Sequence, residues 1–325
     1  MVKKRWIALV LILVLAMSMT AGCSRLRGRP ARKPALPKIP DKINRRAGVE
    51  PRLRVYDIQT KTTKEMNLED YVAGVVAGEM ENYWPVEALA AQAILARTYV
   101  LEFIEDKGGS KYSNADISTD FEEAQAWNPG NINENIKKAV SMTRGKVVTY
   151  QGKYIKAWFH SHAGGITATA KEGLNFKEAE PPYIQVVKSP DTNAGPAGKR
   201  TWSATFTKSE LASMIKSKMG QDTGPIDSVS IAARGPSGRA TQIKIGNATM
   251  NAPDLRIALG SMKMRSTLLT SLRIEGDKVV MVGKGFGHGV GLSQWGANVM
   301  AKQGKSPEDI IRYYFKNVDV VKLWK

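Results

Sequence analysis

A chain of 325 residues with 42% hydrophobic and 7% aromatic content holds enough apolar material for one large core or two modest ones, which excludes an intrinsically disordered protein. Cys23 is the only cysteine, so no intramolecular disulfide can form. The formal net charge of +18 points first to nucleic acid, yet residues 1–54 carry 14 Lys and Arg against two acids, leaving 34 − 28 = +6 on the other 271 residues.

Two thirds of the positive excess therefore lies at the N-terminus. No interleaving of aromatic and basic residues follows it of the kind that stacks on single strands, so a nucleic-acid partner is disfavoured. Residues 1–22 open with MVKKRW, continue through about 14 apolar residues and end in small residues before Cys23. That is export-signal architecture, shorter than the roughly 20 residues of a comfortable membrane span. The segment resembles a bacterial lipoprotein signal with Cys23 as the lipid-bearing first residue, although Thr20 stands where such signals carry Leu, Val or Ile. An uncleaved anchor helix and an ordinary secretory signal are the alternatives. All three place the remainder outside the cytoplasm, and the first and second attach it to the membrane.

Residues 23–52 read as a basic tether, with prolines at 30, 34, 37 and 40 spaced by Lys and Arg. Such a segment is extended and self-repelling. It is either a solvated linker or a strap on anionic head groups or wall polymers, at about 1 kcal/mol per basic residue.

The folded region is expected over 53–325. LRVYDIQTKTTKEMNL reads as two strands and a polar turn, and Asn67 caps a helix through LEDYVAGVVAGEM. Leu68, Val72, Val75 and Glu79 fall on one helical stripe, which puts Glu79 in line with apolar residues. Pro85 opens a second helix that is apolar almost all round, with Gln92 and Arg97 as its polar exceptions. Residues 108–127 are irregular, and NINENIKKAVSMT resumes as a helix. GKVVTYQGKYIKAWFHSHAGG reads as a hairpin turning at Gln151 and Gly152, with Tyr154, Trp158, His160 and His162 on one face of its second strand. A loop over 181–199 precedes the capped helix TKSELASMIKSKM and three strand-like runs, DSVSIAAR, ATQIKIG and TSLRIEGDKVVMVG. Ser293 caps one closing helix and Ser306 another. With no internal repeat, the expected fold is a single α+β domain with a protruding loop-rich segment near 175–205.

The stretch GKGFGHGVGLSQWGA places glycine at 283, 285, 287, 289 and 291. If extended, these glycines share one face, and each costs about 0.5–1 kcal/mol against alanine. Either a polymer or strand lies directly on that bare backbone, or an element of the fold packs tightly there. No register satisfies G-x-G-x-x-G, and no phosphate-loop Lys-Ser/Thr ending is present. His160, His162 and His288 are the whole histidine complement. Together with Glu79 they can be assembled into a zinc site on paper, but the H-E-x-x-H pattern is missing, so neither metal nor cofactor is expected. Glu79 is the sharper signal: a carboxyl on an apolar stripe loses hydration in its charged form, its pKa rises, and it becomes able to act as a general acid. The alternative is a core-edge Glu paired with Arg97.

YVAGVVAGEM, AAQAILARTYVL, YQGKYIKAWFHSHAGGIT, PPYIQVV and GKGFGHGVGLSQWGA, in this order, resemble the stage II sporulation protein D family, the SpoIID/LytB domain, from about residue 53 to 325. The resemblance implies a glycan-binding cleft and binding to peptidoglycan glycan strands outside the cytoplasmic membrane. It further implies lytic transglycosylase activity during engulfment of the forespore, beside a partner amidase that strips stem peptides. The family's essential glutamate falls on Glu79 and the arginine of its A-R-T-Y motif on Arg97. Its histidine-serine turn falls on His160, Ser161, Gly164 and Gly165, and its glycine-rich motif on His288, Ser293, Gln294 and Trp295. With His162 added from its place on the same strand face, Glu79 is expected to be catalytic, and Arg97, His160, Ser161, His162, His288, Ser293 and Gln294 to bind substrate. Some relatives carry a Cys/His metal motif where this chain reads ADISTDFEEAQAW, and no metal is carried over. A non-catalytic peptidoglycan-binding modifier that stimulates an amidase is the rival reading.

Overall fold

A computed structural model describes residues 36–121 and 123–325. Residues 1–35, and with them the export signal, Cys23 and the first part of the basic tether, lie outside the described residues. Among the described residues no helix is long and apolar enough to cross a membrane.

Strands β1 (Arg52–Asp57) and β2 (Thr62–Asn67) form the expected antiparallel hairpin. Helix α1 (Leu68–Glu79) follows directly, and α2 (Val86–Lys107) begins after Pro85. Gly108, with φ 72°, ends α2 by donating to the Ile104 carbonyl, a left-handed cap that a Cβ would strain. Within the stretch expected to be irregular, β3 (Ile117–Ser118) pairs in parallel with β1. Helix α3 (Glu134–Met142) starts at Asn133, whose side chain accepts from the Ile136 amide. β4 (Lys146–Tyr150) and β5 (Lys153–Tyr154) turn at Gln151 and Gly152, both at positive φ, as a two-residue hairpin with the sheet's twist requires. β6 (Phe159–His160), α4 (Ala170–Leu174) and α5 (Ala197–Arg200) come next.

The first core is built around α2. Its Ala88, Ala90, Ala91, Ala93 and Ala96 are fully buried, and such small side chains let neighbours approach on every face. α1, α3 and β4 pack on it, as do α8 (Gln294–Lys302) and α9 (Pro307–Tyr314) from the far end of the chain. The segment before β1 joins the same core: Ile39 and Ile43 are buried, the Lys42 ammonium donates to the Gly108 carbonyl at 2.7 Å, and the Glu69 amide donates to Glu50 at 2.9 Å. The packed body therefore reaches back at least to Ile39. A boundary at residue 53 cuts through it.

A second core occupies the stretch between Trp202 and Met281. β7 (Thr201–Thr207) alternates strictly, with Trp202, Ala204 and Phe206 inside and Thr201, Ser203, Thr205 and Thr207 outside. α6 (Lys208–Met219) is capped by Thr207 and buries Leu211 and Ile215. β8 (Val229–Arg234), β9 (Ala240–Ile245) and β10 (Ala248–Asn251) make one antiparallel sheet, followed by α7 (Ala252–Leu259). β11 (Leu269–Glu275) and β12 (Lys278–Lys284) make another with β7, β12 in the centre. The two cores and their mixed elements make an α+β protein.

β13 (Leu292–Ser293) then returns the chain to the first core, pairing in parallel with β6, Leu292 beside Phe159 and Ser293 beside His160. β14 (Asp319–Lys322) closes on β4. The loop over 181–199 lies back on the body: the Thr167 amide donates to the Val187 carbonyl at 3.0 Å, and Asp191 is fully buried.

Candidate active site

Glu79 is the last residue of α1, a helix end whose exposed carbonyls already disfavour negative charge. Gly78 directly precedes it and Gly74 lies about one and a half turns behind it, and both are needed bare. A Cβ on Gly78 would fall 2.7 Å from the Ala126 carbonyl carbon and the Trp127 nitrogen, and one on Gly74 would fall 2.2 Å from the Trp127 ring nitrogen. The glycines let the loop 126–128 lie flat on the helix, fastened by the Asn128 amide to the Gly74 carbonyl at 2.9 Å. That contact places the Ala126 amide 2.8 Å from Glu79 Oε1, to which it donates.

The other carboxyl oxygen, Oε2, accepts from Gln294 Nε2 at 3.1 Å. Gln294 begins α8, and the Ser293 hydroxyl caps that helix by accepting from the Gly296 amide at 3.2 Å. The Trp295 amide donates to the Ser161 carbonyl at 3.1 Å, so the β6–β13 pairing sets where Gln294 stands. Both partners of Glu79 are neutral. Burial pushes its pKa up, against the weaker opposing effect of the two donors.

Arg97 does not join this group. It is fully buried and grips Glu69, with Nε to Oε1 at 3.1 Å and Nη2 to Oε2 at 2.5 Å, while its Nη1 donates to the Lys146 carbonyl at 2.8 Å. The Trp324 indole and the Gly145 amide also donate to Glu69. The expectation that Arg97 holds Glu79 or a sugar is thus replaced by an interior node joining α1, α2 and the C-terminal strand. Nor is Glu79 a core-edge partner of Arg97.

The three histidines are gathered in the β6 turn and the glycine stretch. His160 Nδ1 faces the Val290 carbonyl at 3.1 Å, so that nitrogen donates, and its Nε2 is buried without a partner. The His288 ring stands edge-on to it, centroids 5.6 Å apart, with Nδ1 accepting from the Val290 amide at 3.0 Å. Burial, then the positive Arg256, lowers the His288 pKa to about 3, and burial with the neighbouring His288 pushes that of His160 well below its ordinary value. Both rings are neutral. His162 Nδ1 accepts from the Gly164 amide at 2.9 Å while Nε2 faces the Ala194 carbonyl at 3.2 Å. The hydroxyl of Ser293, expected to bind substrate, is fully buried and donates to Asp191 Oδ2 at 2.5 Å. Gln294 is the one expected binding residue whose side chain meets Glu79.

The glycine stretch is not an extended bare face. Gly283 lies within β12, and Gly285, Gly287, Gly289 and Gly291 all have positive φ, between 71° and 111°. Their missing Cβ positions are filled from within the protein: by the His162 carbonyl, the His160 Cβ, the Arg239 guanidinium and the Trp158 carbonyl. The glycines serve close packing around the histidine turn and leave no room there for a polymer.

Two residues unmarked by sequence reasoning hold this turn. Asp191 accepts from the Ala163 amide at 2.6 Å and the Gly165 amide at 2.9 Å besides Ser293. Arg239, fully buried, reaches from the β8–β9 turn to the carbonyls of Ala163 at 2.6 Å and Ile166 at 2.9 Å. The residues beside it are fixed by Glu172 of α4, which accepts from Ser237 and from the Arg239 amide at 3.1 Å. A lone Asp in a loop and an Arg in a turn carry no local pattern that would have marked them.

A sequence-family profile described as stage II sporulation protein matches residues 56–150, and one for a domain of unknown function, DUF8618, matches 153–291. The chain is 33% identical over 298 residues to the stage II sporulation protein D of Bacillus amyloliquefaciens, covering 86% of this chain and 83% of the relative. It is 31% identical over 282 residues to that of Bacillus subtilis strain 168, covering 82% and 78%. An amidase enhancer of Bacillus subtilis strain 168 is 28% identical over 293 residues, covering 74% of this chain and 39% of the relative. On these similarities the chain belongs to the stage II sporulation protein D family.

Proposed function

We propose that this protein is a peptidoglycan lytic transglycosylase that acts outside the cytoplasmic membrane in sporulation or cell-wall remodelling, held to the membrane by its N-terminal segment. The observation that carries this reading is a carboxyl group, Glu79, which is raised in pKa by burial and bonded only to neutral donors. A proton held near neutral pH and ready to be given away is what cleavage of a glycosidic bond demands.

Ordinary glycosidases use two carboxylates, one to protonate the leaving oxygen and one to manage water or a covalent intermediate. One suffices when the nucleophile belongs to the substrate. In this reaction Glu79 protonates the glycosidic oxygen as the bond from C1 of muramic acid breaks, and the sugar's own 6-hydroxyl oxygen attacks C1. The resulting Glu79 carboxylate takes the 6-hydroxyl proton, which restores the acid and leaves a 1,6-anhydro end. Gln294 and the Ala126 amide steady the carboxylate in the charged half of the cycle. The neutral His160 and His288 take no part in proton transfer at neutral pH and serve to fix the β6 turn.

Mass spectrometry of products from peptide-free glycan strands tests the reading. Wild type is expected to release 1,6-anhydro-muramic ends, and Glu79→Gln, folded and still binding strands, to lose at least about 100-fold of that activity, the scale of one acid–base group. Undiminished cleavage by Glu79→Gln would refute the role. The similarity to an amidase enhancer favours a second reading, a wall-binding protein that stimulates a separate amidase. Binding of strands without any product, together with a faster amidase, would support it.

A further inference from the structure

The glycine stretch carries one large side chain that the histidine turn does not use, Phe286, and two cations share its ring. The Lys199 ammonium lies 4.6 Å from the ring centroid and the Arg265 guanidinium carbon 5.5 Å. Backbone bonds fix all three segments: the Gly285 amide donates to the Arg200 carbonyl, the Gly287 amide to the Arg265 carbonyl, both at 2.8 Å, and the Phe286 amide to the His162 carbonyl at 2.8 Å. The Arg265 guanidinium donates to the Gly198 carbonyl and so holds α5, which carries Lys199, against the patch.

Like charges gathered on one ring repel, and among the described residues no carboxylate forms an ion pair with either cation. The Lys199 pKa is lowered, first by burial and then by Arg265, with Glu81 acting weakly in the opposite sense. Arg200, next in the chain, has a buried Nε without a hydrogen-bond partner among the described residues. Among the described residues these cations are held together without an ion-paired counter-ion.

The patch adjoins the Glu79 site. Glu81, the acid that Lys199 senses, is two residues beyond Glu79. Gly195, before α5, has its missing Cβ filled by the Trp295 ring, and Trp295 follows Gln294 and packs edge-on against Trp84 at 4.6 Å.

We propose that Lys199 and Arg265, paired over Phe286, form a carboxylate-binding subsite on the flank of Glu79 that selects strands carrying a negative charge next to the scissile bond. The proposal rests on the glycan reading above. Two sources share the chemistry: the lactyl carboxylate of muramic acid, free once its peptide is gone, and the carboxylates of an attached stem peptide.

Isothermal titration on full-length protein in a Glu79→Gln background, where nothing is cut, separates these cases. The ligands are peptide-free strands, the same strands with their lactyl carboxylates converted to amides, and peptide-bearing strands. The subsite requires at least about tenfold tighter binding of a carboxylate-bearing strand, peptide-free or peptide-bearing, than of the amide form, weakening with salt. Lys199→Met with Arg265→Gln removes that preference without changing affinity for the amide form, and Lys199→Arg keeps it. A charge preference confined to peptide-bearing strands, and lost in the double variant, makes the stem peptide the source. Equal binding of all three ligands by the parent protein, or a charge preference that survives in the double variant, overturns the subsite alone. Absence of binding to all three ligands overturns the glycan reading and the subsite with it.

Discussion

Glu79 differs from Glu69, Glu102 and Asp116 in the partner it is denied. Glu69 has Arg97, Glu102 has Lys156 at 2.8 Å and Asp116 has Arg54 at 2.8 Å, whereas Glu79 has one backbone amide and one carboxamide. A cation would hold the group ionised, and neutral donors in a dry setting leave the proton affordable. Glu69 and Glu79 sit on the same helix ten residues apart, about 15 Å of rise, so Arg97 can serve only one of them. His160 and His288 show the reverse shift. His288, lowered to about 3, stays neutral in the fold while the unfolded chain takes up a proton near pH 6.5. The unfolded state then binds more protons, so this group removes stability as pH falls from 6.5 towards 3, by up to about 1.4 kcal/mol per pH unit. Chemical denaturation across that range is expected to show a shallower acid loss for His288→Gln than for wild type. Parallel pH profiles for the two would contradict the assignment.

At the scale of elements, α1 shows why two helical glycines are tolerated at a cost of about 1 kcal/mol each. In an ordinary helix Gly78→Ala would add stability. Here the new Cβ meets the Ala126–Trp127 backbone at 2.7 Å and must push the loop away, taking the Ala126 donor from Glu79. Gly78→Ala is expected to lower the melting temperature by several degrees and glycan cleavage by at least about tenfold, measured by thermal denaturation and product yield. A melting temperature at or above that of wild type would contradict the packing described. Elements of this kind were legible because their signals are local: the Ser293 and Ser306 caps, the Gln151–Gly152 turn and the apolar α2 all stand where the sequence placed them. The glycine stretch was misread because a spacing of two does not carry φ. Four left-handed residues in alternation fold the chain into close contacts, not into an open strand.

The described residues form two cores, and the second was not read from sequence. Its strands and helices were each expected, but hydrophobic periodicity says which face is buried and not against what. The joint between the cores was equally hidden, because Arg239 and its carbonyl partners Ala163 and Ile166 are more than 70 residues apart in the chain. Arg239→Met strands those carbonyls and leaves Glu172 without the nearby positive charge, at about 3–5 kcal/mol. It is expected to loosen the second core from the first, seen as early proteolytic cleavage near residues 235–240 and loss of glycan cleavage. Unaltered proteolysis would show that the cores hold together without it. The proposed reaction turns on one ionisation, that of Glu79, and the most direct test is to follow it by carbon-13 NMR of glutamate-labelled protein, with Glu79→Gln supplying the assignment. The account predicts a midpoint for Glu79 above the ordinary carboxylate value of about 4.3, with glycan cleavage falling as pH rises through the same midpoint. A midpoint at or below the ordinary value, or cleavage that rises through it, would contradict the assignment of Glu79 as the acid.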